Sequence, residues 1–277
     1  MGYTYRDELL TYVMRIAQHP TTPTTLMIAA YPGIWISENF GSTWNLKFEG
    51  IYTYNEHQFL GWHPANVRVL FYTSENFLSE TQILRSENGG EKWDKIEPDR
   101  TGENACHHLA FDPRNPDHIL YSGEGCIFES NDCGKTWQYV LRANEHNNKS
   151  DIGYVYNVMF DPAKSGTAYA VGCSKNNQRI YIYKSSDNGK TWAQMAQSDM
   201  FDNMEYWLHE SVLLNGKIYM YSHKGVLAYP LDNSSSIDEV RASDSCNNVL
   251  YDLSGRKIQN SRPGTIYIKG GKKIIVR

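Results

Sequence analysis

Glu8, Glu56, Glu124, Glu205 and Glu210, with the rings of Tyr5, Tyr54, His57, Tyr156, Trp207 and His209, recur in the polar connections between apolar runs of this chain. Two carboxylates about 5 Å apart, or roughly 6.5–9.5 Å apart with a water between them, cleave a glycosidic bond by retention or inversion. Aromatic faces beside carboxylates and amides suit a pyranose, which has an apolar C–H face and a polar edge of hydroxyls. The five glutamates are therefore candidate catalytic groups by loop position alone, and the six rings are candidate ligand contacts. One aromatic per repeat that merely packs against its neighbour is the other reading of the same rings. His107 and His108 are adjacent, so on a strand they point to opposite faces and cannot chelate one ion.

What must position these groups is a repeat. Four segments share the pattern S-x-[DN]-x-G-x-[TK]-W: Ser37, Asn39, Gly41 and Trp44; Ser86, Asn88, Gly90 and Trp93; Ser130, Asp132, Gly134 and Trp137; Ser185, Asp187, Gly189 and Trp192. The serines are spaced by 49, 44 and 55 residues, the period of a four-stranded propeller blade rather than of a helical solenoid. Alternating apolar residues predict first strands at 13–20, 58–64, 108–113 and 157–162, each stopped by a proline. Second strands follow at 26–30, 69–73, 119–122 and 168–171, third strands run into the repeated octets, and fourth strands start at the tryptophans. A fifth copy, at 208–214, 217–222 and 226–231, has strands but no octet. With 20 Tyr and 7 Trp, the expectation is an all-β chain, a propeller of five four-stranded blades with a short C-terminal β tail.

The octet resembles the Asp-box, or BNR repeat, of sialidases, sortilin-type receptors and xyloglucanase-like glycosidases. Its side chains close a turn: the Asp or Asn accepts backbone N–H groups and the glycine supplies a positive φ. The resemblance implies that these residues are structural and lie on the rim away from the ligand face. Loops joining strand four to strand one, and strand two to strand three, would then carry the site. A calcium reading fails because Asp132 and Asp187 lack the further carboxylates of a calcium loop, so no metal is expected, and no cofactor.

The formal net charge of −4, with basic residues scattered, argues against a nucleic-acid partner. No apolar run approaches the roughly 20 residues that span a bilayer. Five cysteines without a CxxC pair support neither a zinc ribbon nor a redox motif. Cys106 and Cys126 fall on one face in this strand reading, which leaves open a disulfide between them or a set of buried thiols.

The composition changes after Asp232, with a linker at 233–236 separating a propeller at 1–232 from a tail at 233–277. Within the tail, 249–258, 264–269 and 270–277 resemble in order the C-terminal sorting signals of the type IX secretion system. That implies secretion or cell-surface display through that machinery, for which an N-terminal leader is needed; 1–8 contain no apolar leader core. Residues 2–5 resemble 50–54 and 153–156, segments that join blades, so the expectation is a longer parent that begins upstream, or five blades that close as they stand.

Three functions fit this frame: a glycoside hydrolase, a non-catalytic glycan-binding module, and a protein-binding propeller of sortilin or assembly-factor type. A sialidase is disfavoured, since Met14–Ala17 only distantly matches that family's Phe-Arg-Ile-Pro motif and Arg6 is the lone arginine in the first kind of loop. The run from His19 to Ser37 is similar to xyloglucanase-like enzymes, whose paired aspartates this sequence does not locate. The expectation is an exported propeller that binds or processes an oligo- or polysaccharide.

Overall fold

The computed structural model describes residues 13–51, 59–74, 82–96, 106–142, 152–174, 179–199, 208–222, 225–231, 238–239, 250–251, 257–258, 266–269 and 272–275. All regular structure among them is β. Blade 1 consists of β1 (Val13–Gln18), β2 (Leu26–Ala30), β3 (Gly33–Ser37) and β4 (Asn45–Glu49); blade 2 of β5 (Leu60–Trp62), β6 (Leu70–Ser74), β7 (Gln82–Ser86) and β8 (Asp94–Ile96). Blade 3 runs β9 (Cys106–Phe111), β10 (Ile119–Gly123), β11 (Cys126–Ser130), β12 (Gln138–Arg142), and blade 4 β13 (Ile152–Phe160), β14 (Ala168–Ser174), β15 (Arg179–Ser185), β16 (Ala193–Asp199). Blade 5 contains β17 (Leu208–Leu214), β18 (Lys217–Ser222), β19 (Gly225–Pro230) and β20 (Asp238–Glu239). Each sheet keeps chain order, and the resolved pairings are antiparallel. This is a β-propeller architecture.

The core lies between blades. Met27, Ala29, Ile34 and Ile36 of blade 1 pack on Leu60, Leu70, Tyr72 and Leu84 of blade 2, and Phe71 and Ile83 on Leu109, Tyr121 and Phe128 of blade 3. The same holds between blades 3 and 4 and blades 4 and 5. Because strand residues alternate faces, a sheet buried on both sides needs apolar residues at nearly every position, and β3, β10, β11 and β14 are buried throughout.

Two turn chemistries hold the blades. In each octet the Ser hydroxyl donates to the Asx Oδ1 and accepts the glycine N–H, at 2.8–3.0 Å for Ser37, Asn39 and Gly41. The Asx Oδ1 then accepts the N–H four residues on, at 2.9 Å in all four copies. Trp93, Trp137 and Trp192 each donate Nε1–H to the glycine carbonyl of their own octet. Strand four begins one residue after each tryptophan rather than on it. The second device went unread in the sequence: His19, His63, Asp112 and Asp161, each before a proline, cap the turn from strand one to strand two. His63 Nδ1 accepts Asn66 N–H at 3.0 Å and Asp161 Oδ1 accepts Ala163 N–H at 2.8 Å, so imidazole and carboxylate do one job.

The chain divides into two compact units, Met1–Asp238 and Glu239–Arg277. The second holds a four-stranded sheet in the order β22 (Lys257–Ile258), β21 (Leu250–Tyr251), β23 (Ile266–Lys269), β24 (Lys272–Ile275). No helix among the described residues is long and apolar enough to cross a membrane.

Register settles the cysteine pair. Gly123 pairs with Cys106 on one side and Cys126 on the other. Two strand spacings put their backbones about 10 Å apart, beyond disulfide reach. Of the two alternatives, the disulfide is thereby ruled out, and Cys126 is a buried free thiol.

Candidate functional site

First strands touch between blades 1 and 2, 3 and 4, and 4 and 5, which places them on the inner side of the propeller. His108 on β9 donates Nδ1–H to the Val158 carbonyl of β13 at 3.2 Å and receives the Phe59 ring edge-on, with centroids 5.7 Å apart. Ser122 donates to the Tyr156 carbonyl at 3.4 Å. Arg15 on β1 reaches Glu210 on β17 at 3.7 Å, linking the first and fifth blades. Two buried polar atoms on first strands, Asn157 Oδ1 of β13 and Ser211 Oγ of β17, have no hydrogen-bond partner among the described residues.

Charge at the axis is unequal. Burial pushes the His108 imidazole down to about 4, with the Arg15 guanidinium adding to the effect against the Val158 bond, so His108 is neutral at pH 7. With Nδ1–H committed to a carbonyl, Nε2 is an acceptor. The cluster therefore offers a cation, a carboxylate and a neutral acceptor, groups that hydrogen-bond hydroxyls and amides.

Of the expected catalytic glutamates, Glu210 sits in this cluster and is paired with Arg15. Glu124 occupies the two-residue turn between β10 and β11, a half-buried position at the same end. Glu8, Glu56 and Glu205 lie outside the described residues, as do Tyr5, Tyr54, His57 and Trp207. His209 is on β17, but its side chain is outside the described set. Tyr156 is corrected: it was expected on a loop, yet β13 starts at Ile152 and buries its ring to 2% exposure in the core between blades 4 and 5. Tyr154 stacks on it, with centroids 5.7 Å apart. The long β13 extends the alternation five residues upstream of the expected start, and the Tyr-Val-Tyr run was its signal.

Away from the axis, His63, Asp117 and Cys133 bring potential ligand atoms within 4.8 Å of one another. Their chemistry disfavours a metal. His63 Nδ1 accepts the Ala65 and Asn66 N–H groups, which leaves the proton on Nε2, 3.0 Å from the Pro116 carbonyl. Burial, the larger influence, raises the Cys133 thiol, and the Arg85 guanidinium bound to the Cys133 carbonyl at 2.7 Å repels a cation. In blade 3, His118 is buried between Asp112 and Glu129, with Nε2 2.9 Å from Glu129 Oε1, and Gln138 donates to the second Glu129 oxygen. That network satisfies its own members and belongs to the turn end of the blade.

No family model matches this chain, and no curated protein matches it. Solved structures do. A GH74 xyloglucanase from Xanthomonas campestris superposes with a TM-score of 0.61 at 15% identity, covering 92% of this chain and 42% of that one. The extracellular domain of the one component system BT4673 from B. thetaiotaomicron gives 0.59 at 9%, over 100% of this chain and 35% of its own. YCF48 bound to D1 peptide gives 0.55 at 14%, over 91% of this chain and 74% of its own. The chain thus spans about two fifths of the length of the xyloglucanase. At these identities the likeness is one of fold, and this fold carries both a glycosidase and a peptide binder.

Proposed function

We propose that this propeller binds carbohydrate at the axial end where the strand four-to-one and two-to-three loops gather, and that it does so as an exported protein. The observation that carries the reading is the polar cluster of Arg15, His108 and Glu210 on first strands, with Tyr5, Tyr54, His57 and Trp207 in the sequence ahead of those strands and His209 on β17 itself. A rigid ring of strands holds hydrogen-bonding groups at fixed distances, and loop aromatics supply the flat apolar surface a sugar ring stacks on. Binding is put ahead of hydrolysis because the cluster, among the described residues, holds one carboxylate, Glu210, engaged with a guanidinium, where glycoside cleavage uses two. Incubation with plant, host and sialylated glycans, followed by mass spectrometry of released fragments and of retained material, tests this. Retention without fragments is expected; new fragments would establish a hydrolase.

A peptide ligand is the second reading, favoured by the YCF48 likeness, which spans most of both chains. Retention of peptides and no glycan would select it. Export is proposed from the tail sequence at 249–277. In a host with type IX secretion, deleting residues 250–277 is expected to leave the protein off the surface; unchanged surface display would refute the assignment.

A further inference from the structure

Charge divides this chain unevenly. The second unit, Glu239–Arg277, has eight Lys or Arg against three Asp or Glu, a net of +5, so the first unit carries −9. From 250 to 277, seven basic residues stand against one acid, Asp252.

Register gathers part of that positive charge. Lys257 pairs with Tyr251, Tyr251 with Ile268 and Ile268 with Lys273, a row that crosses all four strands of the second sheet. The next row runs from Ile258 through Leu250 and Lys269 to Lys272. Four lysines from positions up to 16 residues apart therefore occupy two adjacent rows at one end of the sheet, and no carboxylate stands on the described positions of these strands. With the usual strand spacing, their backbone positions fall within roughly 15 Å. The remaining rows of the last hairpin, Tyr267 with Ile274 and Ile266 with Ile275, carry no charge.

That gathering has a cost within the unit. Lys269 and Lys272 stand directly opposite one another, with Gly270 and Gly271 between them in the chain, and like charges so placed repel. A local rule broken without a gain inside the fold marks a functional position, and an anion brought to these lysines supplies the gain. Successive strand positions belong to opposite faces, so the lysine positions are shared between both faces of one end. A linear polyanion needs charges ranged along one face or groove, whereas a lipid surface offers a plane of phosphates to whatever end meets it.

We propose that this end of the second unit docks on a membrane surface bearing anionic phospholipid headgroups. Each lysine held near such a surface raises affinity about fivefold, and the effect fades within a Debye length as salt is added. Tyr251 and Tyr267, on the same sheet, are of the residue type enriched at the boundary between headgroups and acyl chains. The docking stands apart from the export reading, because vesicles carry no secretion machinery and export is scored in cells.

Co-sedimentation of the full chain with vesicles of mixed phosphatidylcholine and phosphatidylglycerol, and with phosphatidylcholine alone, tests this at low and high salt. Wild type is expected to bind the anionic vesicles at low salt, to be released at high salt, and to ignore phosphatidylcholine. The triple variant Lys269→Gln, Lys272→Gln, Lys273→Gln should bind on the order of 100-fold more weakly, while the matching Lys→Arg triple, which keeps the charge, should bind as wild type does. Equal binding to both vesicle types overturns the proposal, as does loss of binding in both triples or full binding by the Gln triple. Capture of wild type by heparin with no binding to anionic vesicles also overturns it, and assigns the lysines to a soluble polyanion.

Discussion

His108 shows how one buried ring reports on the axis. Its imidazole titrates near about 4 in the folded chain because burial disfavours the charged form, against about 6.5 in an unfolded chain. Between those values the unfolded chain binds the extra proton, so stability is complete above about pH 6.5 and falls as pH drops toward 4. Replacement by Gln keeps an N–H for the Val158 carbonyl and removes the titration. Urea unfolding of His108→Gln should therefore lose a pH dependence on the order of 2 kcal/mol between pH 6.5 and 4, less than a fully enclosed ring would give. A wild type as stable at pH 4.5 as at pH 7 would contradict the buried, neutral ring. The Asx position of the octets illustrates the opposite case. Asp187 is held down to about 2, chiefly by the Thr191 hydroxyl and N–H, and Asn39 makes the equivalent contacts by donating Nδ2–H to Thr43 at 2.9 Å. The charge is dispensable and the acceptor is not, which is why sequence shows both residues there.

Within the blade, the octet glycines differ by what lies beyond them. Gly189 has a φ of +88°, and a Cβ there would come 2.8 Å from Leu120 of the preceding blade, while Gly89, at +76°, has nothing within 4 Å. Gly89→Ala should cost about 1 kcal/mol, the price of a left-handed backbone alone. Gly189→Ala adds a core clash and should cost about 2–4 kcal/mol. Thermal unfolding of the two variants checks the order; equal losses would mean the octets do not seat on their neighbours. The strands themselves were legible because apolar alternation, prolines and the octets mark most ends within a few residues, as with β2 at Leu26–Ala30. Two things were not. A residue's burial depends on which blade covers it, so Tyr154 and Tyr156 read as loop aromatics until β13 was seen to begin at Ile152. The capping by His19 and His63 hid behind their prolines, because an imidazole accepting two N–H groups has no signature apart from a ligand's.

Over the first unit, five blades in chain order bring Arg15, His108 and Glu210 together from positions up to 195 residues apart. No local pattern could have announced that set; the repeat predicted the convergence and only the register named its members. The proposal of carbohydrate binding rests on this polar centre and on the aromatic residues that the sequence places ahead of the first strands. The most direct measurement is calorimetric titration of a glycan retained from the panel into wild type and into Tyr54→Ala and Trp207→Ala, with thermal midpoints taken in parallel. The account predicts that wild type binds and that both variants lose at least about 1 kcal/mol of affinity, the scale of one stacked ring, at unchanged midpoints. Binding that survives both substitutions, or midpoints that collapse with them, would contradict it and leave those rings as packing between blades.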